Sequence, residues 1–118
     1  GRAGKGIQDA YRWIDKWADK EEFLEAVARK KGRLPKALAE KPELTPVLRL
    51  LFDAYSTLAS SRAGSGLGGP GAIPLSEIKA YAEMFELPVS LEEFVHAIRS
   101  LDATVMELSQ EKQESGND

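Results

Sequence analysis

The sequence predicts an all-α fold: a small irregular bundle of four or five helices, with a glycine-rich surface loop between the third and fourth. Three observations carry that expectation. Apolar residues recur at intervals of three and four along most of the chain, the spacing that gathers them on one helix face. No segment alternates apolar and polar residues with period two, so no sheet is expected. Between two helical stretches, five glycines and two prolines fall within residues 60–74. Glycine opens backbone angles closed to other residues and proline removes a donor, so neither helix nor central strand survives that composition.

In order along the chain, Ile7, Tyr11, Ile14 and Ala18 align on one helix face. Trp13 and Trp17 form a second pair one turn apart. With Tyr11 they are residue types that anchor interfaces, and they serve equally well to close the open end of a core. Asp19 followed by Glu22 fits a weak N-terminal capping pattern, so residues 7–31 form either one helix or two. The second piece carries Phe23, Leu24 and Val27 and ends in Arg29-Lys30-Lys31-Gly32. There the cations meet the negative helix end and the glycine takes a left-handed cap.

Leu34-Pro35-Lys36-Ala37-Leu38 reads as a short helical turn with proline near its start. Thr45-Pro46 then starts a helix, with threonine as N-cap and proline at the first helical position. Leu44, Leu48, Leu51, Tyr55 and Leu58 repeat along it, widened by Leu50, Phe52 and Ala54. Beyond Ile73-Pro74, a helix with Leu75, Ile78, Ala82 and Phe85 on one stripe is expected to stop at Leu87-Pro88. The last helix opens on Ser90-Leu91-Glu92-Glu93, a capping box, with Val89 and Phe94 placed as a hydrophobic staple. Leu91, Phe94, Ile98, Leu101, Val105 and Leu108 follow at helical spacing. Residues 109–118 contain no apolar side chain and are expected to form a disordered tail. The division is therefore 1–20 as a helical extension, 21–108 as the helical domain and 109–118 as the tail.

Charge is uneven. Residues 1–45 hold eleven Lys and Arg against eight Asp and Glu, whereas residues 63–118 hold three against ten. An acidic C-terminal half disfavours nucleic acid there and suits a basic protein partner. The chain has no cysteine, which excludes disulfides, thiolate catalysis and cysteine-based zinc sites and suits a reducing compartment. No apolar run reaches the ~18 residues of a membrane span.

Several motifs fail as chemistry. Gly64-Ser65-Gly66-Leu67-Gly68-Gly69 matches G-x-G-x-x-G, but a helix precedes it and Pro70 follows, where the dinucleotide fingerprint needs a strand and an opening helix. Glu93-Phe94-Val95-His96 has the Glu-x-x-His spacing of di-iron bundles, which need a second such pair. His96 is the only histidine, so it is placed at the rim of its helix near Glu92. No nucleophile–base pair can be assembled, and no catalytic residue, cofactor or metal is expected. The helices flanking Glu86-Leu87-Pro88-Val89 could form a helix-turn-helix, but the second carries Glu92, Glu93, Asp102 and Glu107 against Arg99 alone, the wrong sign for a DNA groove. The run Arg29 to Arg33 leaves a small DNA-associated or regulatory helical module as the alternative reading.

The order of landmarks from Glu22 to Leu108 resembles the small tail assembly chaperone family of long-tailed bacteriophages. The matching pieces are Gly32-Arg33-Leu34-Pro35-Lys36-Ala37-Leu38, Pro42-Glu43-Leu44 and Leu58-Ala59-Ser60-Ser61-Arg62. They continue in Gly66-Leu67-Gly68-Gly69-Pro70-Gly71-Ala72-Ile73-Pro74, Ser76-Glu77-Ile78-Lys79-Ala80-Tyr81-Ala82 and Phe94-Val95-His96-Ala97-Ile98-Arg99-Ser100-Leu101-Asp102. Leu75 stands where members often carry an aromatic residue. The resemblance implies a non-catalytic protein of the host cytoplasm. Such a protein binds the tape measure and tail-tube proteins transiently, then leaves the finished particle. Arg62, Leu67 and Ile73 on the glycine segment, with Tyr81 behind it, are the candidate partner contacts; the competing role for Leu67 and Ile73 is to pin the segment to the bundle.

Overall fold

A computed structural model describes residues 2–60 and 72–116, and the described residues are helical, with no strand. The bundle consists of α1 (Arg2–Trp17), α2 (Glu21–Lys31), the single turn α3 (Lys36–Ala39), α4 (Pro46–Ser60), α5 (Leu75–Met84) and α6 (Leu91–Gly116). A 3-10 turn at Ala18–Lys20 separates α1 from α2, so residues 7–31 form two helices. No side chain caps that junction; the chain bends there without the Asp19–Glu22 capping pattern. The glycine-rich loop expected within residues 60–74 lies outside the described residues from 61 to 71.

Most of the helix ends obey local chemistry. Gly32 takes φ 69° and donates its amide to Ala28 O, closing α2 in the left-handed cap. The Thr45 hydroxyl accepts from the Leu48 amide at 3.2 Å, opening α4. The Ser90 hydroxyl accepts from the Glu93 amide at 3.2 Å, opening α6, and Val89 packs on the core that holds Phe94, as a staple requires. The helix α5 stops at Met84, earlier than the expected Leu87-Pro88. Phe85 is already extended (φ −127°, ψ 152°) and its amide ends the helix on Tyr81 O.

The core is built on α6. Phe94, Ala97, Ile98 and Leu101 are fully buried and meet Ile7 of α1, Leu51, Ala54, Tyr55 and Leu58 of α4, and Ile78 of α5. Within α1 the buried line is Ile7, Ala10 and Trp13. It is rotated from the expected Ile7–Tyr11–Ile14–Ala18 stripe, and Ala18 is exposed. The reason is close packing on α6. A Cβ on Gly4 would lie 2.7 Å from the His96 ring and 3.2 Å from Ser100 Oγ, so the two helices approach where α1 has no side chain. The extension at residues 1–20 thus supplies part of the core.

Helix α6 continues to Gly116, whereas the sequence led us to expect a tail from residue 109. Its outer turns lie beside α1: Arg12 Nη2 stands 3.3 Å from Glu107 Oε2, and Lys112 Nζ 2.5 Å from Asp15 Oδ1. The hydrogen bond to Asp15 pushes the Lys112 ammonium above its ordinary value. Burial does the same for the Tyr11 phenol, so neither titrates near neutrality. Exposed pairs of this kind are weak, and the Lys112–Asp15 pair ties the turns beyond Leu108 to α1.

Trp13 joins the first half of the bundle. Its Nε1–H donates to Ala37 O of α3 at 2.9 Å, and Lys41 Nζ lies 5.5 Å over its ring. Trp13→Phe replaces the indole by a smaller ring without the donor, which orphans a partly buried carbonyl and leaves a gap in the packing. A loss of about 2 kcal/mol in urea denaturation is expected.

Candidate docking site

The most constrained polar feature of the molecule is the carboxylate of Asp102. It lies four residues after Ile98 and so points into the bundle with it. It is only 4% exposed. Its Oδ1 accepts from the Tyr55 hydroxyl at 2.9 Å, and its Oδ2 accepts from the Ile73 amide at 2.9 Å. A buried carboxylate without donors would cost several kcal/mol. With donors on both oxygens, the bonds are charge-assisted and stronger than neutral ones. One side chain of α6 therefore fixes α4 and the residue where the described chain re-enters the core. Ile73 itself is buried. Pro74 follows as N-cap, and its carbonyl accepts from the Glu77 and Ile78 amides, which starts α5 directly behind the anchor.

From there an aromatic series leads outward. Phe94 is buried; Tyr81 is half-buried and stacks on it with centroids 5.5 Å apart and planes at 15°. Phe85 meets Tyr81 at 4.5 Å and is 47% exposed. Beside Phe85 in the chain stands Met84, 70% exposed, and across the Glu86-Leu87-Pro88-Val89 turn stands Leu91, 57% exposed. Leu75, at the other end of α5, is exposed as well. Three large apolar side chains thus stand in water around the α5–α6 turn, and one of them, Phe85, rests on packed aromatic rings. Burying each would yield roughly 1.5–3 kcal/mol, and thioether and aromatic side chains adapt to varied partners.

The corner made by this turn is rimmed by exposed Glu83, Glu86, Glu92 and Glu93. Glu83 lies 4.0 Å from Lys79, the one cation on α5. Among the described residues, Glu86, Glu92 and Glu93 take part in no ion pair. The arrangement can bind an apolar stripe flanked by positive charge. Among the described residues, no group of three or more His, Cys, Asp or Glu is placed to hold a metal ion, and no helix is long and apolar enough to cross a membrane.

Of the four residues singled out from sequence, Arg62 and Leu67 lie outside the described residues. Ile73 is a core residue whose amide donates to Asp102, and Tyr81 stacks between Phe94 and Phe85. Sequence reading placed Asp102 among the outward charges of its helix, and the structure corrects that: it faces Tyr55 and Ile73. The signal was present in the i, i+4 spacing from Ile98. The stripe expected through Leu75 and Phe85 leaves both residues exposed, α5 ends at Met84, and Leu91, expected at the head of the α6 core stripe, is exposed as well.

This is a small all-α protein with a buried polar anchor and an apolar, acid-rimmed corner. A family described as phage tail assembly chaperone matches residues 27–107, more than half of the chain and every residue of the corner. The chain belongs to the phage tail assembly chaperone family. No curated protein and no solved structure matches it.

Proposed function

We propose that the chain acts without catalysis, in the host cytoplasm, by binding the tape measure protein transiently during tail morphogenesis, with the tail-tube subunit as a further client. The observation that carries this reading is the exposed apolar corner of Met84, Phe85 and Leu91 inside a carboxylate rim. Its occupant is an amphipathic helix whose apolar stripe is flanked by Lys or Arg, docked in the helix-in-groove manner. Arg62 and Leu67 are further contacts, proposed from the sequence alone. Shielding such stripes keeps a long helical client from self-associating until tube subunits arrive.

Met84→Ser/Leu91→Ser removes two exposed apolar groups and no core contact. It is expected to leave thermal stability unchanged and to lower the soluble fraction of co-expressed tape measure protein roughly tenfold, the scale of losing one binding hot spot. An unchanged soluble fraction would refute the assignment of this corner.

A further inference from the structure

A second surface has the opposite charge. On α2, Phe23 and Val27 lie one turn apart on one face, and the chain after Gly32 brings Leu34 beyond the helix end. Phe23 is 67% and Leu34 is 61% exposed. Leu34 lines two open clefts. One, of about 300 Å³, is formed with Val27, Lys31, Arg33, Pro35 and Lys36. The other, of about 400 Å³, is lined also by Glu21 and Glu25 beside Arg29 and Lys41, so its charge is mixed. Among the described residues, no carboxylate pairs with Arg29, Lys30, Lys31 or Arg33.

The bland account of these cations is the negative end of α2, which they neutralise. That account does not require Phe23 and Leu34 to stand in water beside them. DNA would satisfy the cations but would set phosphates against the apolar groups. An acidic amphipathic helix satisfies both: its apolar stripe covers Phe23, Val27 and Leu34, and its flanking carboxylates meet Lys31, Arg33 and Lys36. We infer that the cleft lined by Val27, Leu34 and the cations Lys31, Arg33 and Lys36 forms a second docking surface, for an acidic amphipathic helix of a protein partner. The inference does not rest on the α5–α6 reading, because the two surfaces share no residue and select opposite charge.

The full-length chain is tested on an array of overlapping peptides covering the tape measure and tail-tube proteins of its genome, beside a labelled DNA duplex. Net-negative peptides with an apolar stripe at helical spacing should be retained. Phe23→Ser/Leu34→Ser should reduce their capture roughly tenfold, and Lys31→Glu/Arg33→Glu should abolish it. All four residues are exposed or lie at a cleft rim, so circular dichroism and melting temperature should not change. Met84→Ser/Leu91→Ser should retain these peptides, and their loss in that variant would overturn the assignment. It would equally be overturned by capture of no acidic peptide, by capture indifferent to both basic-cleft variants, or by DNA binding that falls with charge reversal but not with Phe23→Ser/Leu34→Ser.

Discussion

Asp102→Ala is expected to destabilise the protein by about 3 kcal/mol, since each buried donor left without its acceptor costs about 1–3 kcal/mol. The donors are the Tyr55 hydroxyl and the Ile73 amide, both buried. Tyr55→Phe removes one donor and leaves the carboxylate its bond to Ile73, so it should cost about 1 kcal/mol. Asp102→Asn should fall between them, because an amide has one acceptor oxygen to offer two donors. Urea denaturation of the three variants decides the ranking. An Asp102→Ala loss no larger than that of Tyr55→Phe would show that the anchor does not hold the Ile73 backbone. Against a total stability of 5–15 kcal/mol for a typical domain, this one carboxylate is a sizeable share.

The second large effect concerns α1. Ile7→Ala is expected to cost about 3 kcal/mol, as for other fully buried aliphatic side chains. Gly4→Leu, which sets a side chain where a Cβ already meets the His96 ring, should cost about 2 kcal/mol by overpacking. The first 26 residues fall outside the family match, so a detachable extension would tolerate both substitutions with losses near zero. The structure instead gives Ile7 and Ala10 full burial against α6. Both variants should lower the midpoint of one cooperative transition in calorimetry. Two separate transitions would mean that α1 folds apart from the rest.

Much of this fold was legible in the sequence because its signals are local. Thr45 and Ser90 cap their helices, Gly32 closes one, and the three- and four-residue spacing from Phe94 to Leu101 marks the buried face of α6. What was illegible depends on partners distant in sequence. Asp102 reads as a surface charge until Tyr55 and the Ile73 amide are placed beside it. The direction of α1 depends on where Gly4 lets two helices approach, which no periodicity within α1 contains. The polar turns after Leu108 read as a tail because the Asp15 that pairs with Lys112 lies at the far end of the chain. The exposed side chains around the α5–α6 turn were not legible: Tyr81 stacks between Phe94 and Phe85, and Met84 and Phe85 stand exposed where α5 ends early.

That this chain holds a tail protein during assembly and then leaves it is tested most directly by co-expression of the tagged chain with the tape measure and tail-tube proteins of its own genome. Pull-down follows, with a search for the chain in finished particles. Capture of the tape measure protein is expected, at reduced yield with Met84→Ser/Leu91→Ser, with no copy of the chain in the particle. Capture of neither protein, with both soluble on their own, would contradict that role.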